Sequence, residues 1–123
     1  MALFSLLASV AIGVVAFLHL AFFVLESFLC TKPTGRRIFG LSAELAESTK
    51  SLALNQGLYN AFLAAGLIWS LCPGERTFGI KVFFLSCVVI AGIVGGLTAK
   101  RSILFIQALP GAVALLLVLF SQR

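Results

Sequence analysis

Residues 2–29 have the sequence ALFSLLASVAIGVVAFLHLAFFVLESFL, and this stretch decides the fold class of the chain. Its only strongly polar side chains are those of His19 and Glu26. Crossing about 30 Å of hydrocarbon at about 1.5 Å per helical residue takes about 20 apolar residues. The stretch is therefore predicted to be a membrane-spanning helix. A charged side chain at membrane depth costs about 2.5–3.5 kcal/mol on insertion scales, so Glu26 is the first candidate for a functional residue.

The remainder of the chain has the same apolar character. The 123 residues are 61% hydrophobic and 11% charged, with a mean hydropathy of +1.15. A soluble domain of this size cannot bury so much apolar surface. Further apolar stretches cover residues 52–71, 78–98 and 102–120, and Ser42 is a suitable N-cap for a second helix that begins near residue 43. We expect a single all-α membrane domain, an antiparallel bundle of four transmembrane helices at residues 2–29, 43–71, 78–98 and 102–120.

The distribution of the nine lysine and arginine residues predicts the orientation of these helices. Six fall at span ends on one side of the membrane: Lys32, Arg36, Arg37, Lys50, Lys100 and Arg101. Three fall on the other side: Arg76, Lys81 and Arg123. Because basic loops stay in the cytoplasm, the first and third loops should be cytoplasmic and both termini outside. Topology therefore explains the net charge of +5, and the expected partner is the lipid bilayer rather than nucleic acid.

Turn signals and small residues indicate how the spans are connected and packed. Residues 31–37, TKPTGRR, are predicted to be a polar turn that stops the first helix, and residues 38–41 an interfacial stretch. Gly92 and Gly96 form a G-x-x-x-G pattern, which favours close helix packing, either within the chain or at the seam of a homodimer. Pro110 with Gly111 is expected to kink the fourth span.

Seven polar side chains within the predicted spans form a candidate ligand-binding site. In the second span the residue pairs 55/59 and 56/60 are each four apart, so all four side chains are expected on one inward-facing flank, with Leu58 and Phe62 on the outward or packing side. We also expect Glu26 to lie within hydrogen-bonding reach of one of the amides, because they share a depth near the cytoplasmic side. The candidate residues are His19, Glu26, Asn55, Gln56, Tyr59, Asn60 and Gln107.

Several kinds of chemistry are not supported by the sequence. The chain contains no aspartate, so a Ser-His-Asp triad is excluded, and it has no glycine-rich phosphate loop. His19 is the single histidine, and Cys30, Cys72 and Cys87 have neither metal-ligand nor disulfide spacing. We therefore expect no metal site and no cofactor.

The run Asn55-Gln56-Gly57-Leu58-Tyr59-Asn60 and the pattern around it resemble a small integral-membrane family, domain of unknown function 1304, which occurs mainly in bacteria. Further matches are His19 with Glu26, the stretch PTGR at 33–36 followed by FGL at 39–41, Ala91-Gly92 with Gly95, and Gln107 with Pro110. The resemblance covers essentially the whole chain. It implies a four-helix protein of the bacterial inner membrane and supplies no activity, substrate or catalytic residue.

Three functions remain open at this point. The first is binding or transport of a small molecule or ion at the polar cluster around Glu26. In size, span number and its first-helix carboxylate the chain is similar to small multidrug exporters, although its Glu lies near a helix end. The second is a membrane enzyme acting on a lipid, with Glu26 or His19 as general acid or base. The third is an accessory subunit in which the polar cluster only fixes helix packing.

Overall fold

The computed structural model describes residues 2–122, and its secondary structure within them is helical, without strands. The all-helical prediction is therefore confirmed. Five α-helices and one π-helical segment follow one another: α1 (Ala2–Phe28), α2 (Pro33–Phe39), α3 (Ala43–Trp69), α4 (Thr77–Thr98), the π-helical segment (Leu104–Ala108) and α5 (Leu109–Phe120). Ser42 caps α3 as expected, because its Oγ accepts a hydrogen bond from the Leu45 amide at 3.1 Å.

Helix α1 ends at Phe28, so the predicted stop of the first helix is confirmed, whereas α2 corrects the prediction of a polar turn through residues 31–37. Pro33 stands in the first turn of α2 rather than after a helix end. At that position proline is favoured, because its missing amide would lack an intrahelical partner in any case. Gly40 ends the helix in the left-handed conformation, with φ of 67°. The Gly40 and Leu41 amides both donate to the Arg36 carbonyl, Leu41 at 2.9 Å, and these bonds close the last turn of α2.

The chain divides into two compact units. One contains the residues up to Leu18 together with those from Leu63 onward, and the other runs from His19 to Phe62. The first unit has a hydrophobic core to which α1, α3, α4 and α5 all contribute. Its buried members are Ala8, Ile12, Val15, Ala16, Leu67, Leu85, Val88, Ala114 and Val118.

The G-x-x-x-G pattern of α4 serves packing within the chain. A Cβ built on Gly92 would lie 2.5 Å from the Ala108 backbone nitrogen, so the two backbones touch. The kink expected at Pro110 with Gly111 stays a prediction, and the structure shows a π-helical segment directly before these residues. Pro110 cannot donate a backbone hydrogen bond, and the preceding Leu109 amide donates to the Leu104 carbonyl, five residues back.

Two helices within residues 2–122 are long and apolar enough to cross a membrane, α1 and α4. The apolar stretch Leu104–Phe120 is shorter, and α3 carries the amide cluster in its middle. Much of the surface of α1 and α4 is apolar and exposed, including Val10, Phe17, Phe83 and Ile90. Large apolar surfaces of this kind mark contact with lipid or with another protein.

Candidate functional site

Glu26 and Asn60 are joined by a hydrogen bond between α1 and α3, within the unit from His19 to Phe62. Asn60 Nδ2 donates to Glu26 Oε2 at 2.9 Å, and it also lies 3.3 Å from the Gln56 carbonyl oxygen of its own helix. The predicted contact between Glu26 and an amide of the second span is confirmed. A hydrogen bond to an ionised carboxylate is shorter and stronger than one between neutral groups.

A glycine sets the separation of the two helices at this point. Gly57 is buried, and a Cβ built on it would overlap with Ser27 Oγ and lie 3.1 Å from the Phe23 carbonyl oxygen. The α3 backbone therefore rests directly on α1, one residue along from Glu26. Because the helices approach so closely, the short side chain of Asn60 reaches the carboxylate.

A cavity of about 290 Å³ adjoins Glu26. It lies within one unit and combines the end of α1, the end of α2 and the first half of α3. Glu26 is the one charged side chain in its lining. Thr49 turns its hydroxyl to its own helix, donating to the Leu45 carbonyl at 2.7 Å. The cavity is lined by Glu26, Cys30, Phe39, Leu41, Thr49, Leu52, Ala53 and Gln56.

A family model described as protein of unknown function (DUF1304) matches residues 13–119. The chain belongs to this family. The matched range includes Glu26, Gly57, Asn60 and every residue that lines the cavity. The chain is similar to "Uncharacterized protein YpaA" of Lactococcus lactis subsp. lactis (strain IL1403), with 29% identity over 99 residues, which is 79% of this chain and 81% of the relative. No solved structure matches the chain.

The amide flank of this DUF1304 protein does not face inward as a whole, which corrects the predicted rotation of α3. The Asn55, Gln56 and Tyr59 side chains are exposed, Tyr59 at 55%. Gly57 marks the α1-facing side of the helix, and at about 100° per residue Asn60 and Gln56 lie about 60° and 100° from it. Asn55 and Tyr59 lie about 160° away on the same estimate, on the opposite side of α3. The side chains at positions 55, 56, 59 and 60 therefore cover too wide an arc around the helix axis to face the same surroundings. Leu58 and Phe62 are exposed, as predicted.

The two outlying candidates occupy different surroundings. His19 is fully buried, with its ring edge-to-face against Phe22 at a centroid distance of 5.9 Å, and it is not among the residues that line the cavity. Gln107 is half-buried in the π-helical segment and belongs to the other unit. Their roles as ligand-binding residues stay predictions.

Six of the eight lining residues were not predicted from the sequence: Cys30, Phe39, Leu41, Thr49, Leu52 and Ala53. Phe39 and Leu41 could be placed only once α2 and its glycine stop were recognised. The cavity therefore offers the carboxylate of Glu26, the side-chain amide of Gln56 and a mainly apolar wall. Among residues 2–122, no three histidine, cysteine or acidic side chains lie close enough to hold a metal ion.

Proposed function

We propose that this protein is a four-span membrane protein that binds, or carries across the bilayer, a small cation with an apolar body in the cavity beside Glu26. The observation that carries the proposal is the position of a single carboxylate in the wall of an otherwise uncharged cavity of about 290 Å³. That volume is near the lower end of the range for small-molecule sites, about 300–1,000 Å³.

The carboxylate has acceptor capacity beyond its protein contact. Within residues 2–122, the hydrogen bond to Glu26 comes from Asn60 alone and engages Oε2. An ionised carboxylate offers about four acceptor positions. A ligand that presents a positive charge or an N–H donor would use the remaining positions. An anion would meet repulsion instead, because no basic side chain lines the cavity.

The walls favour an apolar body on such a ligand. Leu41 and Leu52 line the cavity, and the Phe39 ring adds an aromatic surface. Aromatic faces attract cations, by about 0.5–2 kcal/mol depending on solvation. A fully hydrated inorganic ion gains little from walls of this kind, whereas an organic ammonium gains from both the charge and the apolar contact.

The membrane topology in the proposal has its own support. α1 and α4 are long and apolar enough to cross a bilayer. α3 has 27 residues, and its position between these two helices would place it across the same bilayer. The shorter apolar stretch Leu104–Phe120 would be the fourth span. The six-to-three division of basic residues supports an orientation with both termini outside.

Binding of benzyltrimethylammonium to the purified chain in detergent tests the ligand class. We expect isothermal titration calorimetry to show saturable binding to the native chain. Glu26→Gln should weaken the binding at least tenfold, because it removes one charge interaction, and a tenfold change in affinity corresponds to about 1.4 kcal/mol. Glu44→Gln is the matched control, since Glu44 is an exposed carboxylate in the first turn of α3. Benzenesulfonate should not bind. Equal binding to the native chain and the Glu26→Gln variant would refute the proposal.

A second candidate function is structural, and the contact between Gly57 and Ser27 favours it. Close backbone packing with one interhelical hydrogen bond is how membrane helices are held together. In that case Glu26→Gln keeps a hydrogen-bonding partner for Asn60 and leaves all properties unchanged. If Glu26→Gln loses ligand binding and keeps its melting temperature, the binding function is supported. If the variant matches the native chain in both ligand binding and melting temperature, the structural function is supported.

A further inference from the structure

A second cavity, of about 570 Å³, lies where the chain passes from α3 to α4. Trp69 is the last residue of α3, and Arg76 directly precedes the first residue of α4. All residues of this cavity belong to the unit that contains the hydrophobic core. We call it the Trp69–Arg76 groove, and it is lined by Trp69, Arg76, Gly79, Ile80, Phe83 and Phe84.

Gly79 leaves the groove open. A Cβ built on this residue would meet no atom within 4 Å, so the missing side chain corresponds to unfilled space. Two aromatic side chains in the lining present large exposed surfaces, Trp69 at 60% and Phe83 at 62%. Ile80 and Phe84 complete an apolar wall. The groove therefore offers an apolar channel with one basic side chain at the beginning of α4.

We propose that the Trp69–Arg76 groove binds one anionic phospholipid, with an acyl chain along Trp69 and Phe83 and the phosphate at Arg76. This inference rests on the membrane-spanning part of the proposed function and is independent of the Glu26 cavity. α4 is long and apolar enough to cross a bilayer. Its N-terminal end then lies at headgroup depth, where Arg76 meets lipid phosphates and tryptophan rings are enriched.

The charges at the groove select an anion. Arg76 is the one charged residue in the lining, and its guanidinium can form two parallel hydrogen bonds to a phosphate. The positive end of the α4 dipole lies beside it and acts in the same direction. The neighbouring Glu75 does not line the groove; it lines an adjoining cavity of about 300 Å³ that shares Trp69, Arg76 and Ile80 with the groove. The four apolar side chains that line the groove favour a phospholipid over free phosphate, because free phosphate has no apolar part to bury.

The chain has a single tryptophan, so its fluorescence reports directly on this groove. We would titrate the full chain in detergent with phosphatidylglycerol and phosphatidylcholine whose acyl chains carry bromine, which quenches tryptophan. We expect half-maximal quenching at about fivefold lower mole fraction of phosphatidylglycerol, the factor for one basic residue at an anionic lipid surface. Equal quenching by the two lipids would overturn the proposal.

Two variants separate the charge from the cavity. Arg76→Gln should abolish the preference for phosphatidylglycerol, whereas Arg37→Gln, an exposed arginine on α2, should preserve it. Gly79→Leu should weaken quenching by both lipids, because the added side chain would occupy the groove and its Cβ would meet no atom within 4 Å. Its control is Gly13→Leu, since a Cβ at Gly13 also meets no atom within 4 Å.

Two other results of these variants would contradict the lipid site. A preference that survives Arg76→Gln, or unchanged quenching in a Gly79→Leu variant with native circular dichroism, contradicts the site. If Gly79→Leu does not fold, the Arg76→Gln comparison still decides, because Arg76 is an exposed side chain. Failure here leaves benzyltrimethylammonium binding at Glu26 unaffected, so the two proposals fail separately.

Discussion

Asn60 on α3 donates a hydrogen bond of 2.9 Å to Glu26 on α1, across a sequence separation of 34 residues. The bond joins two helices at the level of a cavity, so the carboxylate is held in place on one side and faces ligand-sized space nearby. A site of this form is pre-organised, because the side chain that would meet a ligand is already ordered.

Asn60→Ala should lower the free energy of unfolding by about 1 kcal/mol. The variant removes a hydrogen bond to a half-buried carboxylate, and interhelical bonds in membrane proteins average about 0.6 kcal/mol with a maximum near 1.7. Thermal unfolding in detergent measures the effect. Asn55→Ala is the control and should change little, because Asn55 is exposed. Equal losses in the two variants would contradict the assigned bond.

Gly57→Ala should destabilise the chain by about 1–3 kcal/mol, the usual range for overpacking. The added methyl group would overlap with Ser27 Oγ, so α1 and α3 must move apart. The matched control is Gly13→Ala in the middle of α1, where a Cβ has open space. There the same substitution should stabilise by about 0.5–1 kcal/mol through helix propensity. Opposite signs at the two glycines are the expected result of a denaturation series.

Ser42→Ala should cost about 1 kcal/mol of stability, the typical loss for an N-cap side chain. Its hydroxyl oxygen accepts a hydrogen bond from the Leu45 amide, which has no carbonyl partner within the first turn of α3. Ser51→Ala, an exposed position inside the same helix, should be neutral. Circular dichroism melting of the two variants makes the comparison, and a neutral Ser42→Ala would contradict the capping assignment.

The proposed orientation predicts which loops react from outside the cell. A cysteine placed at Glu75 in a cysteine-free chain should react with a membrane-impermeant maleimide in intact cells. A cysteine placed at Arg36 should react only after the membrane is opened. The opposite labelling pattern would invert the topology.

The helices were predictable where a local signal suffices. The apolar lengths of α1 and α4 and the cap at Ser42 depend on nearby residues alone. The rotation of α3 was not predictable in this way, because polar residues at 55, 56, 59 and 60 cover a wide arc and do not identify the inner side. The contact of Gly57 with α1 decides the rotation, and it involves residues about 30 positions apart.

The cavity beside Glu26 could not be predicted from the sequence for a related reason. Phe39 comes from α2, whose proline suggested a helix stop although it stands in the first turn. The same type of residue ends a helix in one context and begins it in another, and the difference depends on which neighbouring amides need partners. Only the pairing of Glu26 with an amide was predicted, because the assumed four-helix bundle places both groups at the same depth.

The π-helical segment Leu104–Ala108 has a consequence for chain length. A turn closed by hydrogen bonds to the fifth preceding residue holds one residue more than an α-helical turn, so it is equivalent to an insertion that the helix has absorbed. Removing one residue there would return the turn to α-helical spacing. The buried positions Gly111, Ala114 and Val118 would keep their mutual spacing. Relatives that differ in length by a single residue in this helix are therefore expected to carry the difference at this turn.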